Sequence, residues 1–356
     1  MLKLSVIIPC FNEEKTIEEI LVRVEKAFLP DGWQREIIIV DDFSTDGTRG
    51  KLEKYSHKHN IVLREKNGGK GAALKSGLEK ASGDFVLIQD ADLEYDPNDY
   101  QRLIEALDEK HQVVFGSRLR QENDYFSLIY LYGSEMLTKV FNLFFGSQFT
   151  DITTCYKLFP REVIPSLLSW PENDFVFDAV YLTYELNKWN GEVVEVPINY
   201  SPRSREEGKK VNWRHGVKAL LAMTEIRVGK YWQFLKFLIT GGIALIVNLS
   251  FLYFFTSVVG VFYLLSSIFS FLLAVTVNFT IQKFWTFGGR RGNVYVEAPS
   301  FLALQIIVNL FLNTFLLYVF VEYLQIWYLF SQVVVSLCLA VVTYFVTKKY
   351  IFKNVN

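Results

Sequence analysis

The sequence predicts an α/β domain built on a mostly parallel, doubly wound sheet, followed by an all-α domain of four membrane-spanning helices. Three observations carry this expectation. Over residues 1–100, short apolar runs alternate with segments of helical period. Residues 1–230 hold most of the charged side chains, and from about Leu235 the chain turns strongly apolar and aromatic. Acidic residues, Asp41-Asp42 and Asp90-Ala91-Asp92, stand directly after two of the apolar runs. Open α/β sheets bind their ligands at such carboxyl ends of strands.

Taken in order, Leu4-Ser5-Val6-Ile7-Ile8-Pro9 is a short apolar run closed by proline, and reads as a buried strand. Residues 13–28 have helical periodicity, and Glu36-Ile37-Ile38-Ile39-Val40 is a second strand. The turn Ser44-Thr45-Asp46-Gly47-Thr48 starts another helix. Ile61-Val62-Leu63 is a third strand, residues 71–81 are helical, and residues 85–89 form a fourth strand. Val113-Val114-Phe115 adds another. Residues 125–145 form a very aromatic helix that either packs into the core or lies in the bilayer interface; a membrane tether favours the interface. Glu195-Val196-Pro197-Ile198 is an edge-type strand, and residues 202–210 form a charged loop.

Four stretches, about 235–258, 262–282, 300–321 and 327–347, have roughly the 20 residues that a spanning helix needs. Lys230 and Lys236 precede the first; Lys283, Arg290 and Arg291 lie between the second and third; Lys348, Lys349 and Lys353 follow the fourth. The two other loops carry no Lys or Arg, so the positive-inside rule puts residues 1–230 and both chain ends in the cytoplasm. The four spans are an internal duplication: a shift of 65 residues sets Asn248 on Asn313, Tyr263 on Tyr328, Ser266 on Ser331, Lys283 on Lys348 and Phe287 on Phe352. The two copies are then a parallel repeat. Asn248, Asn278 and Asn313 read as interhelical hydrogen-bonding groups. The expected division is 1–212, an interfacial amphipathic helix over 213–232, and 233–356.

Composition excludes little else. With 37 Lys and Arg against 38 Asp and Glu, net charge makes no case for a nucleic-acid partner. Three scattered cysteines, Cys10, Cys155 and Cys338, give neither a disulfide framework nor metal spacing and suit a reducing compartment. The first residues read as a strand and not as a signal peptide.

Two carboxylates one residue apart at a strand end suit Mg²⁺ or Mn²⁺ that also grips a diphosphate. The motifs Val6-Ile7-Ile8-Pro9…Asn12-Glu13-Glu14, Val40-Asp41-Asp42…Ser44-Thr45-Asp46-Gly47-Thr48, Asn67-Gly68-Gly69-Lys70-Gly71 and Asp90-Ala91-Asp92 resemble, in this order, those of family-two glycosyltransferases with a GT-A fold. Residues 233–354 resemble the GtrA-like membrane family, best at Asn278-Phe279…Lys283-Phe284-Trp285-Thr286-Phe287 and Thr343-Tyr344…Lys348-Lys349-Tyr350-Ile351-Phe352. The resemblance implies that Pro9, Phe11, Asn12, Glu13, Asp41, Asp42, Lys70 and Ala91 line a nucleotide sugar. Asp92 holds the metal with Asp90, and Glu94 stands where related polyprenyl-phosphate mannosyl and glucosyl synthases often have a metal-assisting glutamine. Arg118 is implied near the phosphates, with Ser127 on the acceptor side. Asp151 falls near the transferred sugar, and Lys157 near the site or in a structural pair. Arg205 and Lys209 match a loop that closes over donor phosphates. The synthases usually have basic residues near positions 127–132; this chain has none.

The activity so implied is inverting transfer of a hexose, GDP-mannose favoured as donor, to dolichyl or another polyprenyl phosphate in the bilayer. Alternatives are a UDP-glucose-dependent transferase, a processive polysaccharide synthase and a non-enzymatic lipid-sugar flippase subunit. Asn212-Trp213-Arg214 is not the Gln-x-x-Arg-Trp signature of the processive enzymes.

Overall fold

The computed structural model describes residues 1–123, 128–172, 174–189, 192–203, 212–288 and 292–352. The chain forms two compact units, Met1–Arg227 and Val228–Asn356.

The first unit holds a seven-stranded sheet: β1 (Leu2–Cys10), β2 (Trp33–Asp41), β3 (Asn60–Leu63), β4 (Phe85–Ile88), β5 (Val113–Ser117), β6 (Lys157–Pro160) and β7 (Val193–Pro197). Their spatial order is β3-β2-β1-β4-β6-β5-β7. β3, β2, β1 and β4 are parallel neighbours, and the buried runs of β1, β2 and β4 are continuously apolar because strands covered on both faces need not alternate. Every residue of β1 from Leu4 to Cys10 is buried. Helix α1 (Ile17–Lys26) covers the sheet through Ile17, Ile20, Leu21 and Val24, the i, i+3, i+4, i+7 stripe that its period predicts. Helices α2 (Thr48–Glu53), α3 (Lys70–Leu78), α4 (Tyr100–Glu105) and α5 (Leu128–Phe145) follow.

The sheet is less uniform than the sequence predicts. β6 runs antiparallel between β4 and β5. It escapes a sequence reading because it is four residues long and begins with a wholly buried lysine, Lys157. β7 lies at the edge, as its sequence predicts, and runs parallel to β5.

Helix α5 divides by face. Leu137 and Phe141 are buried in the core, where the Phe141 ring lies 4.7 Å from Phe145. Tyr132, Met136 and Leu143 are exposed. The helix expected over 213–232 ends at Val228 and gives way to a tight turn, Gly229–Tyr231, that begins with Gly229 at φ +55°. Its Ala219, Ala222 and Met223 are buried in the core of the first unit.

Among the described residues the chain carries the expected four helices long and apolar enough to cross a membrane, the first of them running on from the first unit. The duplication is visible in three dimensions. Tyr263–Ile281 and Tyr328–Val346 are both 19-residue helices, and each continues into a wide-turn segment, Gln282–Thr286 and Thr347–Ile351. The equivalent Phe287 and Phe352 rings meet at 5.1 Å. Interhelical bonding by asparagine holds at one of the three positions. Asn313 accepts from Gln332 across helices at 3.1 Å, Asn278 accepts from Gln282 of its own helix, and the Asn248 carbonyl oxygen is buried without a partner among the described residues. The symmetry also fails at charge: Lys283 is buried against Glu297, whereas its equivalent Lys348 is exposed.

Candidate active site

The ends of β1, β2 and β4 open on one cavity of about 1110 Å³ in the first unit. After each of these strands the chain turns through a left-handed non-glycine residue: Asn12 (φ +53°), Phe43 (φ +67°) and Leu93 (φ +63°). Such conformations are uncommon for these residue types and collect at functional sites.

After β1, Pro9, Phe11 and Glu13 line the cavity. Asn12 does not. Its backbone N–H donates to Ser44 Oγ at 2.9 Å and its Oδ1 accepts from the Thr45 N–H at 2.8 Å, so it braces the neighbouring loop. After β2 the two aspartates part. Asp41 is wholly buried and takes the Ser44 N–H and the Arg49 guanidinium, bracing the wall instead of lining it. Asp42 lines the cavity, pairs with Arg64 and accepts the N–H groups of Gly68 and Gly69. It thereby satisfies orphan donors where α3 begins. Gly69 sits at φ +80°, a conformation open to glycine at no steric cost.

Lys70, the first residue of α3, places Nζ 2.7 Å from Asp90 Oδ1 and 2.8 Å from Asp178 Oδ2. Asp178 in turn pairs with the buried Lys157 at 2.9 Å, so Lys157 belongs to a structural pair that reaches the site. Burial works against the Lys70 charge, yet Asp178 and Asp90 hold its ammonium well above the ordinary lysine range.

Asp92 faces Arg203, whose Nη2 lies 3.2 Å from Asp92 Oδ2 and whose two terminal nitrogens also grip Glu13. Glu94 does not continue an extended strand from Asp92, because Leu93 is left-handed. Its oxygens accept from the Tyr200 hydroxyl at 2.9 Å and from the Arg203 N–H at 2.8 Å. Burial, then the like charges of Asp90 and Glu94, push the Asp92 carboxyl up to about 7, against the pull of Arg203.

Among the described residues no three His, Cys, Asp or Glu side chains are arranged to hold a metal ion by themselves. The donor set nonetheless fits a shared divalent cation. Glu13 and Asp92 share the Arg203 guanidinium, Glu94 accepts the Arg203 backbone N–H beside them, and burial together with the like charges of Asp90 and Glu94 raises the Asp92 carboxyl. Mg²⁺ commonly takes one or two carboxylates and completes its shell with phosphate oxygens and water. Asp92 and Asp90 are the residues that would hold it.

Arg118, at the end of β5, donates through Nε and Nη2 to both oxygens of the buried Asp151 (2.7 and 2.8 Å), and through Nη2 to Thr153 Oγ1 at 2.6 Å. Burial would raise Asp151, but this guanidinium holds its carboxyl below the usual range. Ser134 of α5 joins the network at Thr153, 2.6 Å away. Ser127, Arg205 and Lys209 lie outside the described residues. Sequence reasoning missed Arg203, Asp178 and Tyr200. Arg203 stood in a recognised charged loop, where Arg205 was preferred; Asp178 and Tyr200 carry no local signal. Apolar side chains line the cavity as well: Leu131, Met136 and Leu137 of α5, with Val217 and Leu220.

Comparison with known proteins agrees with both units. Residues 5–168 match the model of glycosyl transferase family 2, and residues 236–352 match that of the GtrA/DPMS transmembrane domain. A dolichol-phosphate mannosyltransferase of Pyrococcus furiosus is 28% identical over 340 residues, 91% of this chain and 93% of that protein. An undecaprenyl-phosphate 4-deoxy-4-formamido-L-arabinose transferase of Klebsiella pneumoniae is 26% identical over 64% of this chain and 69% of its own. Among solved structures, glucosyl-3-phosphoglycerate synthase of Mycobacterium tuberculosis shares the fold, with a TM-score of 0.50 and 22% identity over 64% of this chain and 80% of that one.

Proposed function

We propose, from the premise that this chain is a family 2 polyprenyl-phosphate glycosyltransferase joined to a GtrA/DPMS-type transmembrane domain, that it transfers mannose from GDP-mannose to dolichyl or a similar polyprenyl phosphate with inversion. The observation that carries this reading is one cavity lined both by charged groups, Glu13, Lys70, Asp90, Asp92 and Arg203, and by apolar side chains, Leu131, Met136, Leu137, Val217 and Leu220. A charged donor and a lipid-borne acceptor need such a site in one space. The relative that matches over nine-tenths of both chains is a mannosyltransferase by name, which supports mannose.

The acceptor is a phosphate monoester, whose second pKa is about 6. It is an anion at neutral pH, so transfer needs no strong general base. The residues have two tasks, alignment and the management of charge. A bound divalent cation supplies neutralisation of the leaving diphosphate. Lys70 and Arg203 present fixed positive charge on the donor side. Arg118, held in orientation by Asp151 and Thr153, presents its guanidinium to the acceptor phosphate. One displacement at the anomeric carbon turns an α-linked donor into a β-linked lipid sugar. The membrane domain keeps the enzyme where its acceptor resides, and the Lys/Arg asymmetry of its loops supports a cytoplasmic catalytic unit.

Full-length protein in detergent, given polyprenyl phosphate, Mg²⁺ or Mn²⁺ and labelled GDP-mannose or UDP-glucose in parallel, tests this. Label is expected in the lipid fraction from GDP-mannose. Label from UDP-glucose alone overturns the choice of donor, and label from neither overturns the enzyme reading.

A further inference from the structure

We propose that Asp178 is a positioning residue for the transfer, which through Lys70 fixes Asp90 and divides the Lys70 charge before the donor diphosphate arrives. The inference rests on the cavity being the nucleotide-sugar site.

Four side chains stand in a row of alternating sign, from the interior to the cavity. Lys157 Nζ lies 2.9 Å from Asp178 Oδ1 and 2.8 Å from the Asp178 backbone carbonyl oxygen. Asp178 Oδ2 lies 2.8 Å from Lys70 Nζ, and Lys70 Nζ lies 2.7 Å from Asp90 Oδ1. Lys157 is wholly buried and Asp178 is 5% exposed. A pair required for folding alone would be complete with Lys157 and Asp178. Here the second carboxylate oxygen takes Lys70, which lines the cavity as Asp178 does. The backbone supports this role: Asp178 lies in Phe177–Leu182, a wide helical turn with i→i+5 bonding, a rare form that recurs at functional sites.

The physical effect follows from charge. With Asp178 present, the Lys70 ammonium is shared between two carboxylates and held off from full neutralisation of Asp90. Without that charge Lys70 shifts toward Asp90, and the strand-end pair Asp90-Asp92 loses both its orientation and part of its charge. Supporting residues of this kind typically cost 10–100-fold in ligand affinity or activity when removed.

The test uses full-length protein in detergent and the variants Asp178→Asn, Asp178→Glu and Lys157→Met. Thermal midpoint, the Kd of GDP and of UDP in the presence of Mn²⁺, and kcat and KM for the donor are read for each. Asp178→Asn is expected to weaken nucleotide binding and lower kcat, each by roughly tenfold. Asp178→Glu restores part of both. Lys157→Met lowers the midpoint more than Asp178→Glu does and weakens nucleotide binding less than Asp178→Asn does. If Asp178→Asn does not fold, the double variant Lys157→Met with Asp178→Asn, which removes both buried charges, replaces it. A folded Asp178→Asn variant, or the double variant in its place, whose Kd and kcat/KM stay within twofold of the wild type overturns this inference alone. Wild-type protein that binds neither nucleotide overturns the reading of the site and this inference with it.

Discussion

Asp92 carries the sharpest conflict of charges at the residue scale, and the conflict has a measurable sign. Its carboxyl is pushed up to about 7 by burial and by Asp90 and Glu94. An ordinary aspartate loses its proton near 3.8. Between these values the folded chain holds a proton that the unfolded chain has released, so this residue lowers stability as pH rises through the window. Cation binding must displace that proton. The affinity for Mn²⁺ alone, measured by titration calorimetry, is therefore expected to rise about tenfold per pH unit up to about 7 and then level off. A flat profile would remove Asp92 from the cation site. Asp92→Ala is expected to lower transfer at least about 100-fold, a typical upper figure for losing part of a metal's surroundings; near-normal turnover that still requires metal would sink the assignment.

At the scale of elements, the strand-end loops decide which residues reach the cavity. All three loops that the sequence singled out open on it, because an apolar run followed by acidic residues marks a strand end. It could not tell Asp41 from Asp42, since adjacent residues take opposite directions and the choice depends on Arg49, Arg64 and the start of α3. Asp42→Ala is expected to destabilise the first unit by about 1–2 kcal/mol through loss of the helix-start bonds, read as a lowered thermal midpoint. In α5, Phe141 is fully buried among Phe145 and Phe149, so Phe141→Ala is expected to cost about 3–5 kcal/mol. A change below about 1 kcal/mol would mean that α5 rests on the core far more loosely than its buried stripe requires.

The whole molecule joins an α/β unit with a charge-lined cavity to a membrane domain. The loop charges make its orientation testable. Tags at the two chain ends are expected to be accessible to protease from the cytoplasmic face, and access from the opposite face only would reverse the topology. The repeat has a consequence of its own. The Asn313–Gln332 bond joins two helices of the second copy, whereas the equivalent Asn248 Oδ1 has no partner among the described residues. Asn313→Ala is expected to cost about 0.6–2 kcal/mol of membrane-domain stability and Asn248→Ala nothing comparable.

The sequence by itself determined the local and the periodic. Of the four parallel strands, β1, β2 and β4 were legible because their central residues are buried, so their runs are continuously apolar, whereas β3 at the sheet edge is partly exposed and showed only as a short β-branched run. The membrane helices were legible because a bilayer demands length and hydropathy from each segment alone, and the duplication because it preserves register. The tertiary structure decided what depends on distant partners. β6 became a strand through the neighbours on either side of it. Arg118 was turned to Asp151, Glu94 to Tyr200 and Arg203, and Lys157 to Asp178. Asp178 and Arg203 joined the site from residues far along the chain. The direction of a charged side chain is set by where its counter-charge lies in space, and spacing along the chain does not record that.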